Sequence, residues 1–155
     1  RTADARSLTF TSEPLKEDLE VTGPVKAVLY AMSSAVDTDW VVRLSDVHPD
    51  GRSILIVDGI LRARYRESMR EPTLIEPGRV YRYDIDLWAT SNVFKAGHRL
   101  RVSVTSSNFP RWDRNLNTAE SPQIGAHPQT AFNTVFFDPQ RPSHILLPVI
   151  PGSAD

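Results

Sequence analysis

The stretch WVVRLSDVHPDGRSILIVDG (residues 40–59) reads as two strands joined by a tight turn. Trp40, Val42, Leu44 and Asp46 alternate with Val41, Arg43, Ser45 and Val47, the period of two that a β-strand requires. His48-Pro49-Asp50-Gly51 supplies the turn, with Asp50 and Gly51 expected to take the positive φ angles. SILIVDGILRARY (53–65) then returns as one long strand or two, with a bend expected at Gly59. An antiparallel hairpin in the middle of the chain makes antiparallel β-structure the first expectation for its flanks.

The flanks agree. VKAVLYAMSS (25–34) is β-branched and apolar and follows a Gly23-Pro24 break. Glu76-Pro77-Gly78 reads as a turn leading into VYRYDIDLWA (80–89), where Tyr81, Tyr83, Ile85 and Leu87 share one face and Arg82, Asp84 and Asp86 the other. Lys95-Ala96-Gly97 turns the chain into HRLRVSVTSS, in which Leu100, Val102 and Val104 alternate with Arg99, Arg101 and Ser103. TVFFD (134–138) and SHILLPVI (143–150) are the last strand segments. No window carries an amphipathic helix; a short helix or 3₁₀ turn is expected at most in 119–132 or at SNVF (91–94). The pattern predicts an all-β antiparallel sandwich of about 8–10 short strands.

The 155 residues suit a single domain, with an ordered core over about 8–150. A net charge of −1 gives no reason to expect nucleic acid or an anionic membrane as partner. No apolar run approaches the roughly 18 residues of a spanning helix, so a soluble protein is expected. The absence of cysteine removes disulfides and thiolate metal sites and leaves the compartment open, with the cytoplasm slightly favoured. The first residue is Arg1, not Met, so a piece of a longer chain is expected.

Signatures of chemistry are weak. GRSIL (51–55) is the nearest string to a nucleophile elbow, but Leu55 stands where the second glycine belongs, so Ser53 is expected only to open a strand. His48, His98, His127 and His144 show no i+2 or i+4 pairing among themselves, so turn or capping hydrogen bonds are expected of them rather than metal ligation. Asp113, Asn115 and Asn117 form the opening of a calcium loop, but Thr118 and Ile124 occupy the positions that need Gly and Glu. No metal and no cofactor are expected. Arg62, Arg64 and Arg66 alternate and are expected on a solvated face opposite Asp84 and Asp86. RYRESMREP (64–72) is expected as a surface loop.

SSNFPRWDRNLNT (106–118) is the most elaborate segment, inside a connection running from about 107 to 132, a length uncommon in compact domains unless functional or packed on a partner. Trp40, Phe109 and Trp112 could stack on a sugar ring; burial against the core or a neighbour is the competing expectation.

FTSEPLKEDLEVTGPVKAVLY, SSAVDTDWVVRLSDVHPDGRS, DGILRARYRES, DLWATSNVFKAGHRLRVSVTSSNFPRWDRNLNT and PSHILLPVI together resemble the C-terminal β domain of the X-Pro dipeptidyl-peptidase, cocaine esterase and α-amino acid ester hydrolase group of serine hydrolases. The resemblance runs from about Leu8 to Ile150. It implies a jelly roll related to galactose-binding domains that packs on an α/β-hydrolase domain, which carries the Ser-Asp-His triad. No stretch of this chain matches that triad, so no catalytic residue is assigned. The resemblance makes SSNFPRWDRNLNT an expected docking loop, with Phe109, Arg111, Trp112, Asp113, Arg114, Asn115 and Asn117 as its residues. Asp37 and Asp39, in the AVDTDW bend, are expected to lock it by binding Arg111 or Arg114. Self-association through the same face is a further expectation, and a free-standing carbohydrate-binding module is the alternative.

Overall fold

In the computed structural model, which describes residues 7–120, 124–125 and 127–151, the hairpin at the centre of the sequence forms strands β3 (Asp39–Val47) and β4 (Ser53–Arg62). The turn between them is held by the Gly51 amide donating to His48 O and the His48 amide donating to Arg52 O. Only Gly51 takes a positive φ there; Asp50 does not, and caps the turn by accepting from the Arg52 amide. Around this hairpin lie β1 (Leu8–Thr11), β2 (Leu19–Ser33), β5 (Tyr81–Phe94), β6 (Arg99–Thr105), β7 (Asn133–Phe136), β8 (His144–Leu146) and β9 (Val149–Ile150).

Two antiparallel sheets result. One has the order β1-β6-β3-β4. In the other, β2 pairs with β5 along one edge, while β7, β8 and β9 share its second edge. The expected all-β sandwich is what forms. Its inner layer comes from the alternation: Trp40, Val42 and Leu44 of β3 meet Val21, Val25, Ala27 and Leu29 of β2 and Tyr83, Ile85 and Leu87 of β5. Each of the Val, Leu and Ile side chains, fully removed from water, contributes roughly 1.5–3 kcal/mol.

Three local expectations change. SNVF is not helical: β5 continues to Phe94 because β2 begins at Leu19, well before the Gly23-Pro24 break, and offers a ladder as far as the Leu19–Phe94 pair. β2 accommodates Pro24 in a central strand because its second edge is interrupted there. β9 pairs at Glu20 and Val21 and β8 at Lys26–Val28, with Pro148 between them, so the missing proline N–H has no ladder partner to fail. Gly59 is not a bend. It lies inside β4, where a Cβ would meet the Asp86 carbonyl carbon at 2.9 Å; the glycine marks a close approach of the two sheets. Among the described residues, helical structure is limited to a 3₁₀ turn at Ala63–Tyr65. The described part of 119–132 holds none; residues 121–123 and 126 lie outside the described residues.

Candidate docking face

The outer face of the four-stranded sheet carries Asp39 and Arg43 from β3, Asp58 and Arg62 from β4, and Ser103 and Thr105 from β6, all paired in register. This is the face opposite Trp40, Val42 and Leu44, and between these polar pairs it also carries the apolar Val41–Ile60 pair. Residues 106–118 fold back across it.

The attachment uses three points. Asn115 donates from its side-chain amide to Asp37 Oδ2 (2.9 Å) and Asp39 Oδ1 (2.8 Å). Arg111 Nη2 lies 2.9 Å from Asp58 Oδ1, and Asn108 donates to Asp58 Oδ2 at 3.4 Å. Arg64 donates from Nη2 to the Thr118 carbonyl at 2.6 Å. Asn117 sits in the left-handed region (φ 61°), its amide donating to Asn115 Oδ1 and its side chain to Gln129 O. Asp113 is exposed, 3.7 Å from Arg62 Nη2. Irregular backbone that cannot join a ladder is thereby satisfied by short polar side chains. The Phe109–Pro110 peptide is cis.

Asp37 and Asp39 both accept from Asn115 of the loop, but their charged partners are not Arg111 or Arg114. Arg62 makes a two-pronged contact with Asp39 (Nε–Oδ1 2.8 Å, Nη2–Oδ2 3.1 Å). Those hydrogen bonds hold its guanidinium pKa above the ordinary value. Arg64 donates its amide and its Nε to Asp37, at 2.9 and 2.7 Å, with both residues buried. Arg114 instead lies 4.7 Å over the Phe109 ring, and Arg111 4.9 Å over Trp112. The arginine series is therefore no solvated face opposite Asp84 and Asp86: those two lie on the other sheet, Asp84 pairs with Arg82, and Arg66 stacks on Tyr81. RYRESMREP is only partly a surface loop, since Arg64 within it is buried.

The aromatic residues separate cleanly. Trp40 is buried against Tyr83, rings 5.5 Å apart, and is out of reach of any sugar. Phe109 is 59% exposed. Trp112 is half-buried. A polar cleft of about 540 Å³ lies beside the loop, lined in part by Arg43, Asn108, Phe109, Arg114, Asn115 and Asn117. The reading of the sequence missed Trp88, which is 72% exposed with φ 66°. The signal was present: Trp88 continues the outward series Arg82, Asp84, Asp86, and a tryptophan on a charged face asks for a reason. Sequence reading also missed that His48 and His98 meet, with rings 4.3 Å apart, because pairing across strands leaves no short spacing in one dimension. His144 does make a local contact as expected, Nδ1 to Pro142 O at 2.6 Å.

The hydrogen-bonding groups that attach the loop hold it on the sheet. Residues 1–146 match the family described as the X-Pro dipeptidyl-peptidase C-terminal non-catalytic domain, and the chain belongs to that family. It is 51% identical over 148 residues to cocaine esterase of Rhodococcus sp. (strain MB1 Bresler), a match covering 92% of this chain and 25% of the esterase. An α-amino acid ester hydrolase structure superposes with a TM-score of 0.90 at 35% identity, over 94% of this chain and 26% of that one. An aminopeptidase from a marine-sediment Thaumarchaeota archaeon gives 0.88 at 33% identity, over 97% and 27%. The chain thus spans about a quarter of the length of these relatives.

Proposed function

We propose that this domain is the accessory domain of a serine hydrolase of the esterase or dipeptidyl-peptidase type, and that it packs on and stabilises an α/β-hydrolase catalytic domain. The observation that carries this reading is the family match in which the chain accounts for only a quarter of each larger hydrolase. The surface supports it. Phe109 stands out of the docking loop, and Trp88 stands out of a strand bulge. Arg111 meets Asp58 on the outer face of β4, and the Asp86 backbone next to the bulge meets Gly59 on its core face. Exposed aromatics with a nearby arginine are the residue types that dominate interface energy.

Two measurements test the proposal. A fluorophosphonate probe leaves the chain unlabelled and labels a single serine of the full hydrolase. Sedimentation of the chain with the separately produced catalytic domain shows a saturable complex, weakened about tenfold or more by Phe109→Ala. The chain alone self-associates weakly through the same face. Labelling of the chain itself, or no complex at millimolar concentration, overturns the reading. Saturable quenching of Trp112 fluorescence by a monosaccharide would favour the carbohydrate-binding alternative.

A further inference from the structure

We propose that Asp46, His48 and His98 form a binding site for one divalent transition-metal ion of the zinc class. Asp46 is in phase with Trp40, Val42 and Leu44, so its carboxylate points to the core side of β3; its side chain is only 10% exposed. A carboxylate in that position needs a compensating partner. Two imidazoles converge on it. His98 Nδ1 lies 2.9 and 3.0 Å from the two carboxylate oxygens, and His48 Nε2 lies 3.8 Å from Oδ2. The three donor atoms lie within 4.8 Å of one another.

That spacing is what a metal shell requires. Donors about 2.0–2.1 Å from a tetrahedral ion stand roughly 3.3–3.4 Å apart. The two separations from Asp46, 2.9 and 3.8 Å, bracket this value, and the two imidazoles have only to come within the same range of each other for the shell to close. The backbone is fixed beforehand. His48 and His98 stand one step beyond the Val47–Arg99 pair that ends the β3–β6 ladder, and each begins or ends a hydrogen-bonded turn. A His₂Asp set favours zinc, cobalt, nickel or copper over magnesium and calcium, which take all-oxygen shells. His48 is 29% exposed and leaves a path for the ion and for a completing water. Nearby charges are internally balanced: Asp18 pairs with Lys95 at 2.8 Å and Asp50 with Arg52 at 2.6 Å. Asp46, paired only with the two imidazoles, therefore supplies the negative charge of the site. The bound ion would clip the β3–β4 turn to the β5–β6 turn.

The rival reading is a plain Asp46–His98 hydrogen bond that ties two turns together, with His48 stacked beside it by accident of register. His48→Ala separates the two, because it removes a ligand and leaves that hydrogen bond intact. The test uses tag-free chain titrated with Co²⁺, read as d–d absorption in the visible, and with Zn²⁺, read as a rise in Tm. One equivalent binds, and Mg²⁺ and Ca²⁺ produce no shift. His48→Ala weakens Co²⁺ binding about tenfold or more while leaving the metal-free Tm in place. His98→Ala and Asp46→Asn remove binding, with the fold of each variant checked by circular dichroism. Failure to saturate at millimolar Co²⁺, or unchanged affinity in His48→Ala, overturns the proposal.

Discussion

Tyr83 carries a hydroxyl into the middle of the core, where it is fully buried and, among the described residues, makes no well-formed hydrogen bond. Burial pushes its pKa up to about 12, against the smaller lowering influence of the neighbouring Trp40 indole N–H. The phenolate is thus favoured by the unfolded chain. The stability that Tyr83 contributes is complete below its unfolded pKa of about 10 and is lost as pH rises toward 12, a span worth about 2–3 kcal/mol. Tyr83→Phe is expected to match or exceed the parent at pH 7 and to flatten this alkaline loss, as urea unfolding between pH 8 and 12 would show. A steeper alkaline loss in the variant would contradict the assignment. The buried Asp37–Arg64 pair behaves oppositely, because both partners are satisfied. Arg64→Ala strands a buried carboxylate and is expected to cost about 3–5 kcal/mol in the same assay. These acidic anchors were readable from the sequence, since short polar residues in a bend ask for partners. The partners were not, and the cause is one residue. The hairpin ladder begins Val47–Ser53 and Ser45–Leu55 but continues Leu44–Val57 to Asp39–Arg62. An uninterrupted ladder would set Asp39 opposite Leu61; the bulge at Ile56 slips the register and delivers Arg62 instead.

Strands were the most readable level. Alternation alone separated the two faces of β3 and β5, the period of two that a strand imposes. Strand ends were less readable, since pairing with a distant partner decides them: β5 reaches Phe94 only because β2 starts at Leu19. Gly59 shows the same limit. A glycine within a strand pattern signals either a bend or a close approach, and the local sequence does not choose between them. Here β4 and β5 belong to different sheets, and the backbone of Asp86 fills the space of the missing side chain. Gly59→Ala needs no unusual φ, so its whole penalty is steric, against backbone that has no rotamer to change. It is expected to destabilise at the upper end of about 1–3 kcal/mol or beyond. Gly51→Ala, with open space but φ of 86°, should cost only the torsional strain of about 1 kcal/mol. Equal losses in the two variants, measured by thermal unfolding, would mean that the sheets separate more easily than the contact implies.

At the scale of the whole molecule, the question is why a stable sandwich keeps features that cost it stability. Trp88 is the clearest case. On β5, Leu87 and Trp88 together oppose Val25 between the Pro24–Ala89 and Lys26–Asp86 pairs, so the strand bulges outward. Trp88 takes the left-handed conformation that favours glycine, its amide held by Asp86 Oδ1 at 2.8 Å. A non-glycine residue there costs roughly 1–3 kcal/mol, and the indole recovers little because it is mostly exposed. Glycine would relieve the strain at an entropic penalty of about 0.5–1 kcal/mol, leaving Trp88→Gly as stable as the parent or more so. Strain that the fold itself does not need points to a role outside the domain, and a large rigid aromatic on a raised bulge suits a pocket on a neighbouring domain. The expectation is therefore a divergence between two readouts. Trp88→Gly holds or raises the Tm of the chain and weakens its complex with the catalytic domain about tenfold or more. A complex of unchanged affinity would detach Trp88 from the interface; a large fall in Tm would show that the indole packs on this domain after all.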